Sequence, residues 1–194
     1  TRITRSRILL VRSSDGGVTW SWPRILSEFQ YLVQRPVIVI DPSDSTGKTI
    51  YIVFRRFAFL NKPDGIAFVK SVNGGISFSG PKDIATLPCP FDQGTTESSF
   101  RTNSYPTVAV DGNGIVYVAW AQRYGPDGTP NPDGQARIVI SYSQNRGLTW
   151  SQPCIVDSYQ GDGHQFMPTM TCGGGKLRLA WYDQRDDDSL QHPN

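Results

Sequence analysis

The segment Ser143-Gln144-Asn145-Arg146-Gly147-Leu148-Thr149-Trp150 has two further copies in the chain, Ser13-Ser14-Asp15-Gly16-Gly17-Val18-Thr19-Trp20 and Ser71-Val72-Asn73-Gly74-Gly75-Ile76-Ser77-Phe78. Each copy reads Ser, any residue, Asp or Asn, any residue, Gly, any residue, Thr or Ser, and an aromatic residue. An eight-residue pattern that recurs three times indicates a structural repeat. We refer to the three copies as the repeat turns.

The residue types of the repeat turns predict a tight hairpin. The Asp or Asn side chain can bond to turn amides, and the Gly two places on supplies the positive φ that such a turn often needs. The aromatic residue then opens the outgoing strand, so we expect it to be buried and all three turns to lie on one face. The predicted structural positions are Ser13, Asp15, Gly17, Thr19, Trp20, Ser71, Asn73, Gly75, Ser77, Phe78, Ser143, Asn145, Gly147, Thr149 and Trp150.

A longer repeat surrounds these turns. Three equivalent segments, at 36–41, 106–111 and 168–173, each precede a Gly-containing turn and an alternating strand at 50–54, 116–120 or 177–181. Each full repeat then accommodates four strands, with the repeat turn between the third and the fourth. Since Pro and Gly interrupt the chain too often for long helices, we predict an all-β protein made of four-stranded antiparallel units.

Such units, repeated radially, predict a β-propeller whose blades are four-stranded antiparallel sheets. Residues 1–28 fit the second half of a blade, 35–87 and 105–157 fit whole blades, and 167–194 fit the first half of another. The chain thus covers about three blade equivalents, whereas propellers contain at least four blades. We therefore expect a segment of a larger propeller, or alternatively a half that pairs with a second copy.

Composition and cysteine spacing argue against nucleic-acid-binding, membrane-spanning and metal-binding proteins. The 194-residue chain has a net charge of +2 and is 38% hydrophobic, which is typical of a folded protein and supplies no basic stripe for nucleic acid. It has no apolar run long enough for a membrane span, and its first residues do not resemble a signal peptide. Cys89, Cys154 and Cys172 lack metal-ligand spacing, so we expect no metal and no cofactor, and buried free thiols rather than a Cys154–Cys172 disulfide.

The repeat turns resemble the Asp-boxes, or BNR repeats, of the sialidase-like superfamily of β-propellers. The resemblance implies a six-bladed ring, a secreted protein, and a structural role for the boxes on the face away from any catalytic centre. It also implies a glycan partner, because sialidases hold the carboxylate of an acidic sugar with three arginines from different blades.

Arginines recur on the loops predicted to lie opposite the boxes. The candidate ligand-binding residues are Arg55, Arg56, Arg123 and Arg185, which follow the second strand of successive blades, and Arg35 and Arg101 lie just before inner strands. The alternative is that these arginines pair with neighbouring carboxylates such as Asp183, Asp186 and Asp187, or are solvated. His164, beside an inner strand, is a candidate general base or sugar contact, against a plain loop histidine.

The catalytic residues of the family do not carry over completely. The family's Phe/Tyr-Arg-Ile-Pro signature is matched only by the Arg and Pro of Gln34-Arg35-Pro36, and it follows the first repeat turn instead of preceding it. Glu28 and Glu97 are the only two glutamates, so the glutamate that assists a nucleophilic tyrosine is one of these or lies outside this segment. The candidate tyrosines are Tyr124, Tyr159 and Tyr182.

Three functions stay open at this point: a glycoside hydrolase of sialidase type, a non-catalytic propeller that binds glycan or protein, and a structural module of an extracellular assembly. The Pro/Gly/Asp-rich loop 125–134 favours two turns over a calcium site, because it lacks the ligand order of an EF-hand.

Overall fold

The computed structural model describes residues 6–27, 32–59, 61–92 and 102–186, and all regular structure in these ranges is β. No helix in the described ranges could cross a membrane. The strands are β1 (Leu9–Leu10), β2 (Arg24–Ile25), β3 (Val33–Ile40), β4 (Ile50–Arg56), β5 (Gly65–Ser71), β6 (Lys82–Thr86), β7 (Thr107–Val110), β8 (Val116–Tyr124), β9 (Gln135–Ser143), β10 (Cys154–Ile155), β11 (Gln165–Gly173) and β12 (Lys176–Asp183).

The strands form antiparallel sheets in simple meander order. The orders β3-β4-β5-β6 and β7-β8-β9-β10 make two four-stranded sheets, while β1-β2 and β11-β12 make two-stranded sheets at the two ends. The predicted all-β class with four-stranded antiparallel units is confirmed. The outermost strand β10 is only two residues long.

The middle strands are apolar on both faces because sheets pack against both of those faces. In β4 every residue after Ile50 is buried, and β8 is buried from Val118 to Gln122. Three hydrophobic clusters fill the spaces between successive sheets, and each cluster draws side chains from two neighbouring sheets. Face-to-face packing of this kind lets one sheet after another stack around a common axis.

The first strand of each unit lies on the inner side of this stack. Strand β7 contacts both β3 and β11, so the three inner strands lie side by side. Each has an X-Pro pair near its start, inside β3 and β11 and directly before β7. Two of these pairs carry a left-handed residue, Arg35 with φ 56° and Met167 with φ 51°. The pairing register of β3 and of β11 shifts at these residues, which marks a bulge.

The three repeat turns make the same internal hydrogen bonds. In the third turn the Gly147 amide donates to Ser143 Oγ at 2.8 Å, and the Thr149 amide donates to Asn145 Oδ1 at 2.9 Å. The first and second turns repeat both bonds at the equivalent positions. The fixed glycine has a positive φ in every copy, 92°, 79° and 84° in chain order, which only glycine adopts without strain.

Successive repeat turns lie along the same edge of the stack. Arg12, beside the first turn, donates to the Gly74 carbonyl of the second at 3.5 Å. The ammonium group of Lys70 donates to the Arg146 carbonyl of the third turn at 3.1 Å. We refer to this edge as the turn face and to the opposite edge as the loop face.

The aromatic residues of the turns differ in burial. Trp150 is half-buried, and its ring packs against the ring of Phe68, which belongs to the preceding sheet. The two rings meet in an edge-to-face arrangement, with centroids 5.5 Å apart. Phe78 is also half-buried and packs, together with Leu10 of the preceding sheet, against the third hydrophobic cluster. Trp20 is 61% exposed, so the prediction that all three aromatics are buried is wrong for this residue. The aromatic of a turn packs on the sheet before it, and the described residues contain no sheet before β1-β2.

The cysteines are free thiols, as expected, but not all of them are buried. Cys89 is buried, Cys172 is half-buried and Cys154 is exposed. The expectation of burial fails at Cys154 because it lies on β10, the outer edge strand of its sheet, where only one neighbouring strand covers it.

Truncating Trp150 should therefore destabilise the protein far more than truncating Trp20. We expect Trp150→Ala to cost about 3 kcal/mol of unfolding free energy, the lower end of the range for buried aromatics, because its indole is half-buried. Trp20→Ala should stay within about 0.5 kcal/mol, as surface changes do. Urea denaturation of both variants measures the difference, and equal losses would show that the turn aromatics do not pack on the preceding sheet.

Candidate functional site

The loop face carries most of the charged side chains predicted to form a site. It is built from the β4–β5 and β8–β9 hairpin loops and from the connections that lead from one sheet to the next. These segments are 57–59, 61–64, 87–92, 102–106, 125–134 and 156–164.

Arg55 is a fully buried clamp between two loops. Its Nη2 atom donates to Asp64 at 2.7 Å and to Asp92 at 3.1 Å, and its guanidinium lies 4.7 Å from the centre of the Phe57 ring. The two carboxylates also accept backbone amides, that of Ala58 at Asp64 and that of Ser104 at Asp92. With 0% of its side chain exposed, Arg55 has no surface to offer a ligand in this conformation.

Arg56 and Arg123 are also engaged by their own chain. Arg56 forms an ion pair with Asp83 on β6. The Nη1 atom of Arg123 donates to the Gly134 carbonyl at 2.7 Å, and the guanidinium lies over the ring of Phe91. Burial lowers the pKa of Arg123, as expected for a cation removed from water.

Arg185 joins two acidic side chains at the far end of the face. Its Nη2 atom contacts Asp157 at 2.5 Å and Asp183 at 2.6 Å, and its guanidinium lies 4.4 Å from the centre of the Tyr159 ring. The hydrogen bond from Arg185 holds the pKa of Asp183 well below its usual range. Pairing with Asp183 is the alternative that the sequence had left open for Arg185.

The four arginines do not occupy equivalent positions. In the strand registers Val53, Ala119 and Ala180 are equivalent, because each pairs with the residue that follows an inner-strand X-Pro pair. Arg55 comes two residues after this reference position, Arg56 three, Arg123 four and Arg185 five. The four arginines therefore lie at different offsets in or just after the second strands of their sheets. Their role in ligand binding stays a prediction, which their internal pairing does not favour.

His164 is a loop histidine with a packing role. Its Nδ1 accepts the Ala136 amide at 3.1 Å, and its ring lies 4.7 Å from the ring of Phe91. Burial, followed by the positive charges of Arg123 and Arg137, lowers the pKa of His164 to about 4. A neutral imidazole with Nδ1 occupied keeps only its Nε2 edge for a sugar contact.

Arg137 is a buried residue of the loop face that the sequence pattern did not single out. Its guanidinium donates to the carbonyls of Ala136, Gly163 and Gly161 and lies over the Tyr159 ring at 5.7 Å. The signal was present, since an arginine inside the otherwise apolar run of β9 must find partners within the protein. Arg137 ties the connection before β11 to the strand beneath it.

A second missed group lies where the inner strands begin. The hydroxyl of Tyr105 accepts from Asn103 Nδ2 and donates to Gln34 Oε1, both at 2.7 Å, which joins β3 to the segment preceding β7. Arg35, next to Gln34, is exposed, and its side chain makes no hydrogen bond or ion pair with any described residue. We call Gln34, Arg35, Asn103 and Tyr105 the axial cluster, because inner strands surround the axis of a propeller.

Several predicted residues do not assemble into a catalytic group. Tyr159 donates its hydroxyl to the Asp162 carbonyl, and Tyr182 is exposed on β12. Glu28, Glu97, Arg101 and Asp187 lie outside the described residues. Within those residues no three His, Cys, Asp or Glu side chains converge as a metal site would require. Loop 125–134 forms two consecutive turns, closed by Gly128 N to Gly125 O and by Gly134 N to Asn131 O.

Comparison with solved structures shows a sialidase-like fold. The chain is similar to the Hadza microbial sialidase Hz136, with a TM-score of 0.63 and 18% identity over 92% of this chain and 36% of that one. It is also similar to a protein of unknown function from Dyadobacter fermentans DSM 18053, with a TM-score of 0.57 and 19% identity over 89% of this chain and 51% of the other.

The chain thus spans about a third to a half of the structures that it matches. No family model matches it, and no curated protein does. The four-stranded antiparallel sheets correspond to part of a sialidase propeller, and the match leaves room for further blades elsewhere in the ring.

The low pKa of His164 predicts a specific loss of stability in mild acid. Between pH 6.5 and about 4 the unfolded chain binds a proton at this imidazole that the folded chain does not bind, so unfolding becomes easier as the pH falls through this window. Below about pH 4 both states carry the proton and this contribution no longer changes. NMR titration of the ring and urea denaturation at several pH values measure the two effects.

His164→Gln is the control for this titration, because its side-chain oxygen can accept the Ala136 amide without titrating. The variant should lose the pH dependence in that window. An imidazole that titrates near 6.5, or an unchanged pH dependence in His164→Gln, would contradict the assignment.

The clamp role of Arg55 predicts a large stability effect. Arg55→Ala leaves Asp64 and Asp92 without their shared cation, and breaking such a buried pair costs about 3–5 kcal/mol. Arg35→Gly is the matched control, since it removes an exposed guanidinium at a φ of 56° that glycine adopts readily. Thermal and urea unfolding compare the two variants. An Arg55 variant as stable as the control would mean that the clamp does not hold the loops.

Proposed function

We propose that this chain is a segment of a larger, secreted sialidase-like propeller that binds an acidic glycan at the axial end of its loop face. In this proposal the repeat turns are Asp-boxes that hold the blades together on the turn face. Fold similarity to a sialidase over 92% of the chain supports the architecture, and the axial cluster supplies the binding site. The remaining blades belong to the rest of the ring.

The observation that carries the proposal is the state of Arg35. The guanidiniums of Arg55, Arg56, Arg123 and Arg185 are engaged by acceptors of their own chain, whereas that of Arg35 is exposed and meets no described acceptor. Its left-handed φ is a strained conformation for a residue with a Cβ, of the kind that persists at ligand-binding positions. Arg35 also precedes Pro36, which is the part of the family's Arg-containing signature that this chain retains.

An acidic sugar fits this cluster by charge and by hydrogen bonding. A guanidinium offers two parallel N–H donors that match the two oxygens of a carboxylate. Gln34, the chain neighbour of Arg35, is tied to Asn103 through the Tyr105 hydroxyl, so the positions of these polar groups cost little to order when a ligand binds. The cluster therefore presents one cation and a preformed set of neutral polar groups.

Hydrolysis requires groups beyond this chain in our proposal. A sialidase centre draws its arginines, its acid and its tyrosine–glutamate pair from around a whole ring, and this chain spans 36% of the matched sialidase. We expect no turnover of a fluorogenic sialoside by the 194-residue chain. Turnover would show that a complete centre lies within it.

Binding is tested by titrating N-acetylneuraminic acid or glucuronic acid while following the arginine side chains and backbone amides by NMR. We expect shifts at Arg35, Gln34 and Tyr105 with a dissociation constant of about 1 mM, as for a single carboxylate contact in water. Arg35→Gly should remove these shifts without unfolding the protein. Arg12→Ala, a variant of an arginine on the turn face, should bind like the original chain.

Two results would contradict the proposal. One is the absence of shifts at the axial cluster at saturating sugar, and the other is undiminished binding by Arg35→Gly. Either result would favour a non-catalytic structural module. The observation behind that alternative is the apolar surface of the end sheets, where Trp22 is 93% exposed and Tyr182 is 63% exposed.

A further inference from the structure

A pocket separate from the axial cluster opens on the loop face, between the β8–β9 loop and the connection that leads to β11. Its volume is about 170 Å³, and it is lined by Tyr124, Asp133, Gln135, Arg137, Gln160 and Asp162 together with the backbone around them. A single ordered water needs only about 10–15 Å³, so the pocket has room for a small molecule. None of these residues belongs to the axial cluster.

One wall of the pocket is the β8–β9 loop, whose backbone is held by internal hydrogen bonds and close contacts. Gly125 donates to the Thr129 carbonyl at 2.8 Å, and the Gly134 carbonyl accepts Arg123 Nη1 at 2.7 Å. A Cβ on Gly134 would collide with the carbonyl group of Tyr124, so the two arms of the loop touch at the backbone. This wall holds Tyr124, Asp133 and Gln135 in fixed places.

The other wall is fastened to β9 by a buried cation. Arg137, which is 6% exposed, donates to the carbonyl oxygens of Gly163 at 2.6 Å and Gly161 at 2.5 Å. Tyr159 stacks over Arg137 and donates its hydroxyl to the Asp162 carbonyl at 3.1 Å. Because carbonyl groups already occupy these donors, Arg137 shapes the pocket without offering a free bidentate fork to an anion.

The pocket also contains polar groups that the protein does not use. The carboxylates of Asp133 and Asp162, the amide of Gln135 and the hydroxyl of Tyr124 make no hydrogen bond with any residue that the structure describes. Burial raises the pKa of Tyr124, so its hydroxyl is a neutral donor and acceptor at physiological pH. Asp133 and Asp162 are exposed and accept hydrogen bonds only.

We propose that this pocket binds one neutral sugar ring. Vicinal hydroxyl groups donate to the carboxylates of Asp133 and Asp162, and Gln135 and Tyr124 supply the donors that the ring oxygens need. The two carboxylates outnumber Arg137, the one cation in the lining, so the pocket disfavours an acidic sugar, whereas the axial cluster favours one. The rigid walls keep the ordering cost of binding low.

The test is an NMR titration of the chain with the methyl glycosides of galactose, glucose and mannose. At about 10 mM, roughly tenfold above a 1 mM dissociation constant, at least one glycoside should shift the amides of Gly134, Gln135 and Asp162. Asp133→Ala and Asp162→Ala should each weaken binding about tenfold, the effect of losing one hydrogen bond to a charged group. Both side chains lack partners, so these variants should fold normally.

Asp186→Ala is the matched control, because Asp186 is an exposed carboxylate outside the pocket, and it should bind like the original chain. Arg35→Gly should also bind the neutral glycoside normally. Failure of the axial proposal is therefore distinguishable from failure of this one.

Three outcomes would overturn the neutral-sugar pocket. The first is the absence of shifts at these amides with all three glycosides. The second is stronger binding of N-acetylneuraminic acid than of any neutral glycoside at the same amides. The third is binding that disappears on adding EDTA, since this would mean that a metal ion and not the carboxylates themselves holds the sugar.

Discussion

The contact between Gly147 and the ring of Phe68 is the constraint on which the stacking of the sheets depends. A Cβ at Gly147 would lie 2.9 Å from two ring atoms of Phe68, and the φ of 84° already excludes most other residues. The glycine lets the backbone of one turn press on the preceding sheet, where Trp150 then covers Phe68. Gly75 approaches Leu10 of the preceding sheet less closely, since a Cβ there would lie 3.8 Å from the Leu10 side chain. The same eight residues therefore both close a hairpin and join one sheet to the next.

With the sheets held from the turn face, the loop face is free to carry irregular structure, and buried cations organise it. Arg55 and Arg137 are nearly or wholly buried, and each ties a connection to the strand beneath it through side-chain carboxylates or backbone carbonyls. Removing such a guanidinium would leave its acceptors without a donor at a position where water replaces the lost hydrogen bonds poorly. Arginine is suited to this work because its five donors can reach several acceptors at once.

The arginines of the loop face therefore fall into two groups, those paired within the protein and one whose guanidinium is exposed. The internally paired arginines are fixed by their acceptors, whereas Arg35 lies at a strained bulge and carries no such bond. At the pocket beside the β8–β9 loop, the carboxylates of Asp133 and Asp162 provide acceptors that form no ion pair with a described residue. Under our two proposals, the face binds an acidic sugar at the axial cluster and a neutral sugar at the separate pocket. These two proposals rest on different residues and stand independently.

The repeat by itself determined the fold, because the turn chemistry of Ser, Asp or Asn, and Gly is local to eight residues. Local patterns could not determine which side chains meet across sheets. The pairing of Arg55 with Asp92 spans thirty-seven positions, and the bond between Tyr105 and Gln34 spans seventy-one. The exposure of Trp20 and the burial of Arg137 also follow from which sheet lies alongside. Tertiary structure decided the sites because a propeller brings together loops that are distant in sequence, whereas it builds each blade from neighbouring residues.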